Sequence, residues 1–175
     1  MSSEWSKLLD YNPETGHLFW KDRHGEKMKG GRTGRWTSQF TGKKAGHLAS
    51  SGYVMVGIRQ KLLCAHRVIW EMVHGPIPSG MKIDHINGNC SDNRICNLRL
   101  ASHGQNRSNS RHSARSGLKG VYIERHKYRA QIRVNKKCIS IGTYSTKGEA
   151  AVAYAKSSLM YQGRFSPFYR KFAQS

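Results

Sequence analysis

The sequence predicts an α+β fold with N-terminal β hairpins, a central unit of strand, loop, strand and helix, and a C-terminal three-stranded antiparallel sheet packed on one helix. Three observations support this fold class. The turn sequence Asn-Pro-Glu-Thr-Gly at 12–16 separates two runs of aromatic and apolar residues. A polar stretch at 82–109 encloses a short apolar segment, after which Ser102 is expected to cap a helix. Apolar and polar residues alternate through much of 119–142, and an alanine-rich helical pattern follows.

Residues 1–63 are predicted to form a basic, β-rich N-terminal region. In the turn at 12–16, proline restricts φ and glycine accepts positive φ, a combination that favours a hairpin. Two further strands are predicted at 53–58 and 61–65, joined by a tight turn. The segment 66–74 has apolar residues at helical spacing and precedes Gly-Pro, so a helix is expected to end there.

The composition points to a polyanionic partner. The chain has 175 residues, a formal net charge of +20 and a pI near 10.3. Nucleic acid is the first candidate for such a partner. A membrane is the competing candidate, but the sequence has no long apolar run and no basic amphipathic helix with a wide apolar face. We therefore expect no membrane partner, and the N-terminal sequence lacks the apolar core of a signal peptide, which favours a cytoplasmic location.

The cysteines indicate neither a disulfide framework nor a zinc site. Four cysteines are scattered through the chain, at Cys64, Cys90, Cys96 and Cys138. That number and spacing are typical of ordinary thiols in a reducing compartment. Cys90 and Cys96 are farther apart than the paired ligands of a zinc knuckle, so no structural zinc is expected.

Catalytic residue types recur with regular spacing in the stretch from Lys82 to Asn109. Asp84 and His85 are adjacent, Asn97 follows His85 by twelve residues, and Asn106 follows it by twenty-one. Successive side chains of a strand point to opposite faces, so Asp84 and His85 should lie where the strand meets the loop. Carboxylate and amide oxygens suit Mg²⁺, and a neutral imidazole can accept a proton from water near pH 7.

At these residues the stretch resembles the HNH nuclease family, through IDHINGN, DNR, NLRLA and the final QN. The resemblance implies a ββα-metal nuclease unit at 64–110 with one Mg²⁺ or Mn²⁺ per active site. It implies that His85 is the general base, that Asn97 orients His85, and that Asp84 and Asn106 bind the metal. Asn106 stands where the family name has its second His, which leaves the metal preference open. The competing interpretation is a polar loop in a structural domain, or a decayed active site.

Two features near this unit have open roles. Residues 111–117 are predicted to be a linker, and Arg107, Arg111 and Arg115 are predicted to follow a phosphate backbone. His66 either contacts phosphate or supports the site, or it is a partly buried histidine bonded to the backbone, which is the usual situation of a lone histidine.

The C-terminal unit, 118–175, is predicted to contain three strands and a helix that opens at Ser145 or Thr146. The strands are expected at 119–124, 128–134 and 137–142. The predicted inward side chains of the strands are Val121, Ile123, Ala130, Ile132, Val134, Ile139 and Ile141. The predicted inner face of the helix is Ala150, Ala151, Ala153, Tyr154, Leu159 and Met160.

This unit resembles an APETALA2-type DNA-binding domain through KGV, YRAQIR, IGTY and the helix sequence TKGEAAVAYAKSSLMYQG. The resemblance implies that the sheet contacts DNA. The predicted DNA contacts are Lys119, Tyr122, Arg129, Gln131 and Arg133. Plant members place arginines and tryptophans where this chain has Tyr122, Glu124 and Ser140, so the base preference stays open.

Together these patterns predict a homing-type endonuclease of the phage or mobile-element HNH kind, acting on double-stranded DNA in the host cytoplasm. The resemblance implies products with 5′-phosphate and 3′-hydroxyl ends. A monomer or weak homodimer is expected. The alternative is a non-catalytic DNA-binding regulator built on a nuclease-like scaffold. An RNA-binding protein is disfavoured because the chain lacks the paired aromatic signature of RNA-reading sheets.

Overall fold

Four small antiparallel sheets and three α-helices make up the part of the chain that the structure, a computed structural model, describes: residues 4–22, 39–110 and 114–169. This architecture confirms the predicted α+β class. Within these ranges the backbone divides into two compact units. The first contains the residues up to His85 together with Asn89–Leu100, and the second contains Ile86–Gly88 together with the residues from Ala101 onward.

The first unit begins with the predicted hairpin. A 3-10 helix, Glu4–Lys7, precedes β1 (Leu9–Asn12) and β2 (His17–Trp20), and β3 (Lys44–Ala45) pairs with β2. The Asn12 side-chain oxygen accepts hydrogen bonds from two backbone N–H groups of the turn, at 3.0 and 3.1 Å. This side-chain cap gives the turn its fixed shape.

A second sheet and a helix complete the first unit. The sheet contains β4 (His47–Leu48), β5 (Val54–Ile58) and β6 (Lys61–Cys64), and helix α1 (Ala65–His74) follows directly. The predicted strands and helix are therefore confirmed to within one residue. The buried apolar core consists of Leu8, Leu9, Leu18, Ala45, Val56, Ile58, Ala65, Val68, Ile69, Ile83 and Leu98.

The central motif forms the predicted strand, loop, strand and helix. Strands β7 (Lys82–His85) and β8 (Leu98–Ala101) pair with each other, and helix α2 (His103–Asn109) follows β8. Ser102 is the N-cap of α2, as expected. Its hydroxyl accepts a hydrogen bond from the Gln105 backbone, and the Gln105 side chain accepts one from the Ser102 backbone, so a capping box fixes the start of this short helix.

The C-terminal sheet contains β9 (Val121–Glu124), β10 (Lys127–Val134) and β11 (Lys137–Tyr144), with β10 in the middle. Helix α3 (Lys147–Gln162) packs on it and starts from a capping box on Thr146. A β-bulge interrupts the pairing of β10 and β11 between Ala130 and Gln131. An extra residue at a bulge increases the local twist of the strands.

Two side chains predicted to face the C-terminal core are exposed instead. The helix buries Ala150, Tyr154 and Ser158, which are four residues apart, whereas Met160 lies on another face and is 71% exposed. Ile123 is on the same strand face as buried Val121, but it is 58% exposed because it lies at the hairpin end of β9. The remaining core residues follow the predicted alternation.

The predicted linker 111–117 is described only from residue 114. There the chain forms a turn in which the Gly117 N–H donates to the Ala114 carbonyl at 2.8 Å. Ser116 is buried, and its hydroxyl donates to the Val121 carbonyl at 2.6 Å. The domain boundaries at 63, 110 and 117 stay predictions. Across the described ranges, no helix has the length and apolar character that a membrane crossing requires.

We predict that Gly120→Ala destabilises the chain strongly. A Cβ on Gly120, which has φ +71°, would lie 2.0–2.6 Å from three atoms of the buried Tyr154 ring. Gly117 is a matched control, since its φ is +78° but its nearest neighbour would be 3.9 Å away. Gly117→Ala should cost about 1 kcal/mol for the positive φ, and Gly120→Ala about 1–3 kcal/mol more for overpacking. Urea unfolding measures both, and equal losses would contradict the packing argument.

Candidate active site

Asp84 and His85 are the last two residues of β7, where the strand gives way to the loop as the sequence predicts. Both are buried, with 5% and 4% of their surfaces exposed. Burial of two polar side chains is costly unless each has partners, so their contacts define what the site can do.

The imidazole of His85 is held by Asn93. The His85 Nε2 atom lies 3.0 Å from the Asn93 Oδ1 atom, and Asn93 is itself fully buried. An amide oxygen only accepts, so Nε2 donates in this hydrogen bond and Nδ1 carries the lone pair. Sequence reasoning did not single out Asn93, although it lies in the DNR segment. The contact selects the tautomer in which Nδ1 can act as a base.

The environment of His85 favours its neutral form. Burial lowers the pKa of His85, while the hydrogen bond with Asn93 and the negative charge of Asp84 act in the opposite direction. Burial is the largest of these effects. Near pH 7 the ring is therefore neutral and able to accept a proton.

Asp84 forms an ion pair with Arg99 on the neighbouring strand. Arg99 Nε donates to Asp84 Oδ2 at 2.8 Å, and Arg99 Nη2 lies 2.7 Å from the same oxygen. Both side chains are largely buried, so the guanidinium compensates the carboxylate charge within the fold. Arg99 was not predicted as a site residue. The sequence clue to Arg99 was its position in NLRLA, since this segment forms strand β8, which pairs with strand β7 that carries Asp84.

A second buried histidine lies beside His85. His66 is in the first turn of α1 and is 6% exposed, and its ring is 4.9 Å from the His85 ring in an edge-on arrangement. Tyr53 packs near both rings, at 5.2 and 5.9 Å. Burial lowers the pKa of His66 to about 3, and His85 and Arg67 add to this effect. His66 thus packs beside His85 as a neutral ring, and its role in supporting the site stays a prediction.

Asn97 is bonded to the loop that carries Asn93. Its side-chain N–H donates to the Asp92 carbonyl at 2.8 Å, and its backbone N–H donates to the Arg94 carbonyl at 2.8 Å. These bonds hold the loop against the start of β8. The predicted role of Asn97 in orienting His85 stays a prediction, and the observed contacts act on the loop.

Asn106 lies in the middle of α2 and is half-buried, and its backbone N–H donates to the Ser102 carbonyl at 2.9 Å. Its metal-binding role stays a prediction. Among the described residues, no group of three or more His, Cys, Asp or Glu side chains could hold a metal ion. A metal site built from one carboxylate and one amide would contain no such group of three side chains.

Among the predicted phosphate contacts, Arg107 and Arg115 are exposed, and Arg111 lies outside the described residues. Lys119 is different because its ammonium group is used inside the protein. It donates to the carbonyls of Arg107, Ser108 and Ser110 at the C-terminus of α2. Burial lowers the pKa of Lys119 to about 8, and Arg107 adds to this effect. These bonds use the three donors of the ammonium, so a DNA contact by Lys119 would have to replace one of them.

The outer face of the C-terminal sheet carries the other predicted DNA contacts. Tyr122 lies opposite Arg129, and Arg133 lies opposite Cys138 in the register of the strands. Tyr122 and Arg133 are exposed, while Arg129 is half-buried and lies 3.6 Å from the Glu124 carboxylate. Gln131 is half-buried between them. One polar, basic face is thereby formed opposite buried Ala130 and Ile132.

We predict that His66 makes stability depend on pH. The pKa of His66 is about 3 in the folded chain and about 6.5 in an unfolded chain. The unfolded chain therefore binds the proton first, and stability is lost as the pH falls below 6.5. Between pH 7 and 5 the wild type should lose about 2 kcal/mol more than His66→Asn. Parallel pH profiles in urea unfolding would contradict a buried, neutral His66.

The chain was compared with known families and proteins. Residues 64–108 match a family model described as HNH endonuclease. Those residues include α1, both strands of the central motif and most of α2. This part of the chain is therefore similar to an HNH endonuclease domain.

The chain is also similar to three relatives, one of which is named as an HNH endonuclease. The chain is 47% identical over 58 residues to protein 3.8 of Escherichia phage T7, covering 32% of this chain and 48% of the relative. It is 35% identical over 124 residues to an uncharacterised HNH endonuclease, L560, of Acanthamoeba polyphaga mimivirus, covering 70% and 63%. It is 34% identical over 65 residues to phage T7 protein 7.7, covering 37% and 48%. The chain spans less than two thirds of each of these relatives.

A solved structure of the HNH homing endonuclease I-HmuI, described for DNA binding and cleavage, matches with 20% identity and a TM-score of 0.41. The match covers 58% of this chain and 51% of that one. This likeness is too weak to support an argument about the site.

Proposed function

We propose that this chain, which carries an HNH endonuclease domain at 64–108, is a homing-type endonuclease that hydrolyses phosphodiester bonds in duplex DNA. The observation that carries the proposal is the state of His85. The ring is buried, its pKa is lowered, and its Nε2 is bonded to Asn93, which selects the tautomer with the lone pair on Nδ1.

In this proposal His85 removes a proton from the attacking water. A positioned base with a pKa near or below the working pH is deprotonated and can accept that proton in the transition state. Asn93 prevents the ring from turning over and stabilises the N–H side as positive charge develops on the imidazole. His66 and Tyr53 pack against the ring and restrict its motion.

The donor set suits a divalent metal. Asp84 offers a carboxylate and Asn106 an amide oxygen, both hard ligands of the kind that Mg²⁺ or Mn²⁺ takes with the rest of its shell left to water and phosphate. We propose that these two residues hold one metal per active site. When bound, such a metal stabilises negative charge on the phosphate and on the departing 3′ oxygen. Arg99 fixes the orientation of the Asp84 carboxylate. We also propose that the chain uses no structural zinc.

We propose that the C-terminal sheet, of APETALA2 type, anchors the DNA. Support comes from the +20 net charge and from the exposed face that carries Tyr122, Arg129 and Arg133. A three-stranded sheet can enter the major groove with such a face. Arg107, Arg111 and Arg115 would add phosphate contacts. A monomer or weak homodimer in the cytoplasm of an infected host is part of the same proposal.

The second candidate is a non-catalytic DNA-binding regulator. The ion pair of Asp84 with Arg99 favours it, because a guanidinium already occupies one carboxylate oxygen that a metal would need. Tight DNA binding without metal-dependent cleavage would support this candidate.

We predict that His85→Ala slows cleavage of supercoiled plasmid by about a hundred- to ten-thousand-fold, because a general base is lost. Its affinity for DNA should stay close to that of the wild type. Reactions are run with Mg²⁺ and with a chelator, which should stop the wild type.

His74→Ala serves as the control, since His74 is an exposed histidine at the end of α1. Full cleavage by His85→Ala would refute the base assignment. Binding without chelator-sensitive cleavage by the wild type would favour the regulator.

We predict that Arg133→Ala weakens DNA binding by about 1–3 kcal/mol and relaxes selectivity at one base position, provided that it reads a guanine edge. Uniform weakening across sequences would indicate a phosphate contact. In that case the slope of log binding constant against log salt concentration should be smaller in magnitude by about 0.9. Lys156→Ala, on the exposed side of α3, is the control. Equal binding by wild type and Arg133→Ala at all salt concentrations would contradict anchoring by this residue.

A further inference from the structure

The Tyr11 hydroxyl on the N-terminal hairpin holds the backbone of the active-site loop. It accepts a hydrogen bond from the Ile95 N–H at 2.9 Å and donates one to the Asn93 carbonyl at 3.3 Å. One hydroxyl thus satisfies a donor and an acceptor two residues apart in the same loop. Burial raises the pKa of Tyr11, so the group stays protonated and can serve both partners.

The turn of the same hairpin packs against the same loop. Gly16 has φ +73°, and a Cβ on it would lie 2.6 Å from the Arg94 nitrogen and 2.7 Å from the Asn93 carbonyl carbon. Both neighbours are backbone atoms, which cannot move aside as a flexible side chain can. The turn itself is fixed by the Asn12 side chain and by the hydrogen bond from the Gly16 N–H to the Asn12 carbonyl at 2.9 Å.

From these contacts we infer that Tyr11 and Gly16 are positioning residues for the general base. The connection has two steps, from the hairpin to the Asn93 backbone and from the Asn93 side chain to His85 Nε2. The hairpin lies outside the segment 64–108 that matches the HNH endonuclease model. This inference rests on the proposed function of His85 and assigns part of the catalytic geometry to the N-terminal region.

The geometry explains why a small shift of the loop matters. The Asn93 oxygen is 3.0 Å from the imidazole, a distance at which a displacement of about 1 Å breaks the hydrogen bond. Without that bond the preference of the ring for the tautomer protonated at Nε2 is weakened. Misplacement of a reacting group by about 1 Å can cost about a hundredfold in rate.

The test is Tyr11→Phe in the full chain, because it removes only the hydroxyl. We expect single-turnover cleavage to slow by about tenfold or more while the Kd for DNA is unchanged. In ¹⁵N NMR of the imidazoles at fixed pH, the wild type should show His85 protonated at Nε2, and Tyr11→Phe should show a mixture of tautomers. Gly16→Ala should show the same changes more strongly.

Glu71→Ala is the matched control. Glu71 accepts a hydrogen bond from Trp5 Nε1 at 2.6 Å, a part-buried contact of the same unit that does not touch the loop. This variant should lose stability but keep the wild-type rate and the His85 tautomer. A general loss of stability and a loss of positioning are thereby distinguished.

The NMR result decides the inference independently of cleavage. A single Nε2-protonated tautomer of His85 in both Tyr11→Phe and Gly16→Ala would overturn the positioning role. If the wild type shows that tautomer and Tyr11→Phe loses it, but neither protein cuts DNA, the positioning role stands and the proposed nuclease function fails.

Discussion

The hydrogen bond between His85 and Asn93 is the interaction on which the rest of the site depends. A buried imidazole is costly unless its nitrogens are satisfied, and the fold meets that cost with an amide that is also buried. Since Asn93 lies in a loop rather than in a strand, the loop must itself be held. The contacts of Tyr11, Gly16 and Asn97 with its backbone supply this restraint. A rigid loop is the condition for a base with a defined tautomer.

Charge is distributed in two distinct ways in the chain. The net charge of +20 comes from an excess of lysines and arginines, which favours a polyanion over long distances. Near His85 the charges are instead paired and buried, as in the contact of Asp84 with Arg99. A DNA backbone attracted by the lysines and arginines would meet, near His85, a site whose own charges are already compensated. Binding would therefore draw on the exposed charges, while the buried ones determine chemistry.

Much of the fold was predictable because its signals are local. Turn residues, alternation and helix caps indicated the hairpin at 12–16, the capping residues Ser102 and Thr146, and the three C-terminal strands. The position of Asp84 and His85 at the end of a strand also followed from periodicity. Partners across the chain were not predictable, since the contact of Tyr11 with Asn93 joins residues 82 positions apart. The exposure of Met160 was not predicted. The spacing of residues shows which side chains share a helix face, but it shows less well which face the sheet covers.

The location of α2 bears on how chemistry and binding are connected. The sequence predicts a linker at 111–117 after this helix, and the described residues 114–117 form a turn in which Ser116 is buried. Lys119 caps the C-terminus of α2 from the start of the C-terminal sheet region, so the helix belongs to the second compact unit. Asn106, the proposed metal ligand, is therefore carried by the same unit as the proposed DNA-binding face. A change that loosens that unit would affect both roles, because a short helix with one turn of caps has little stability of its own.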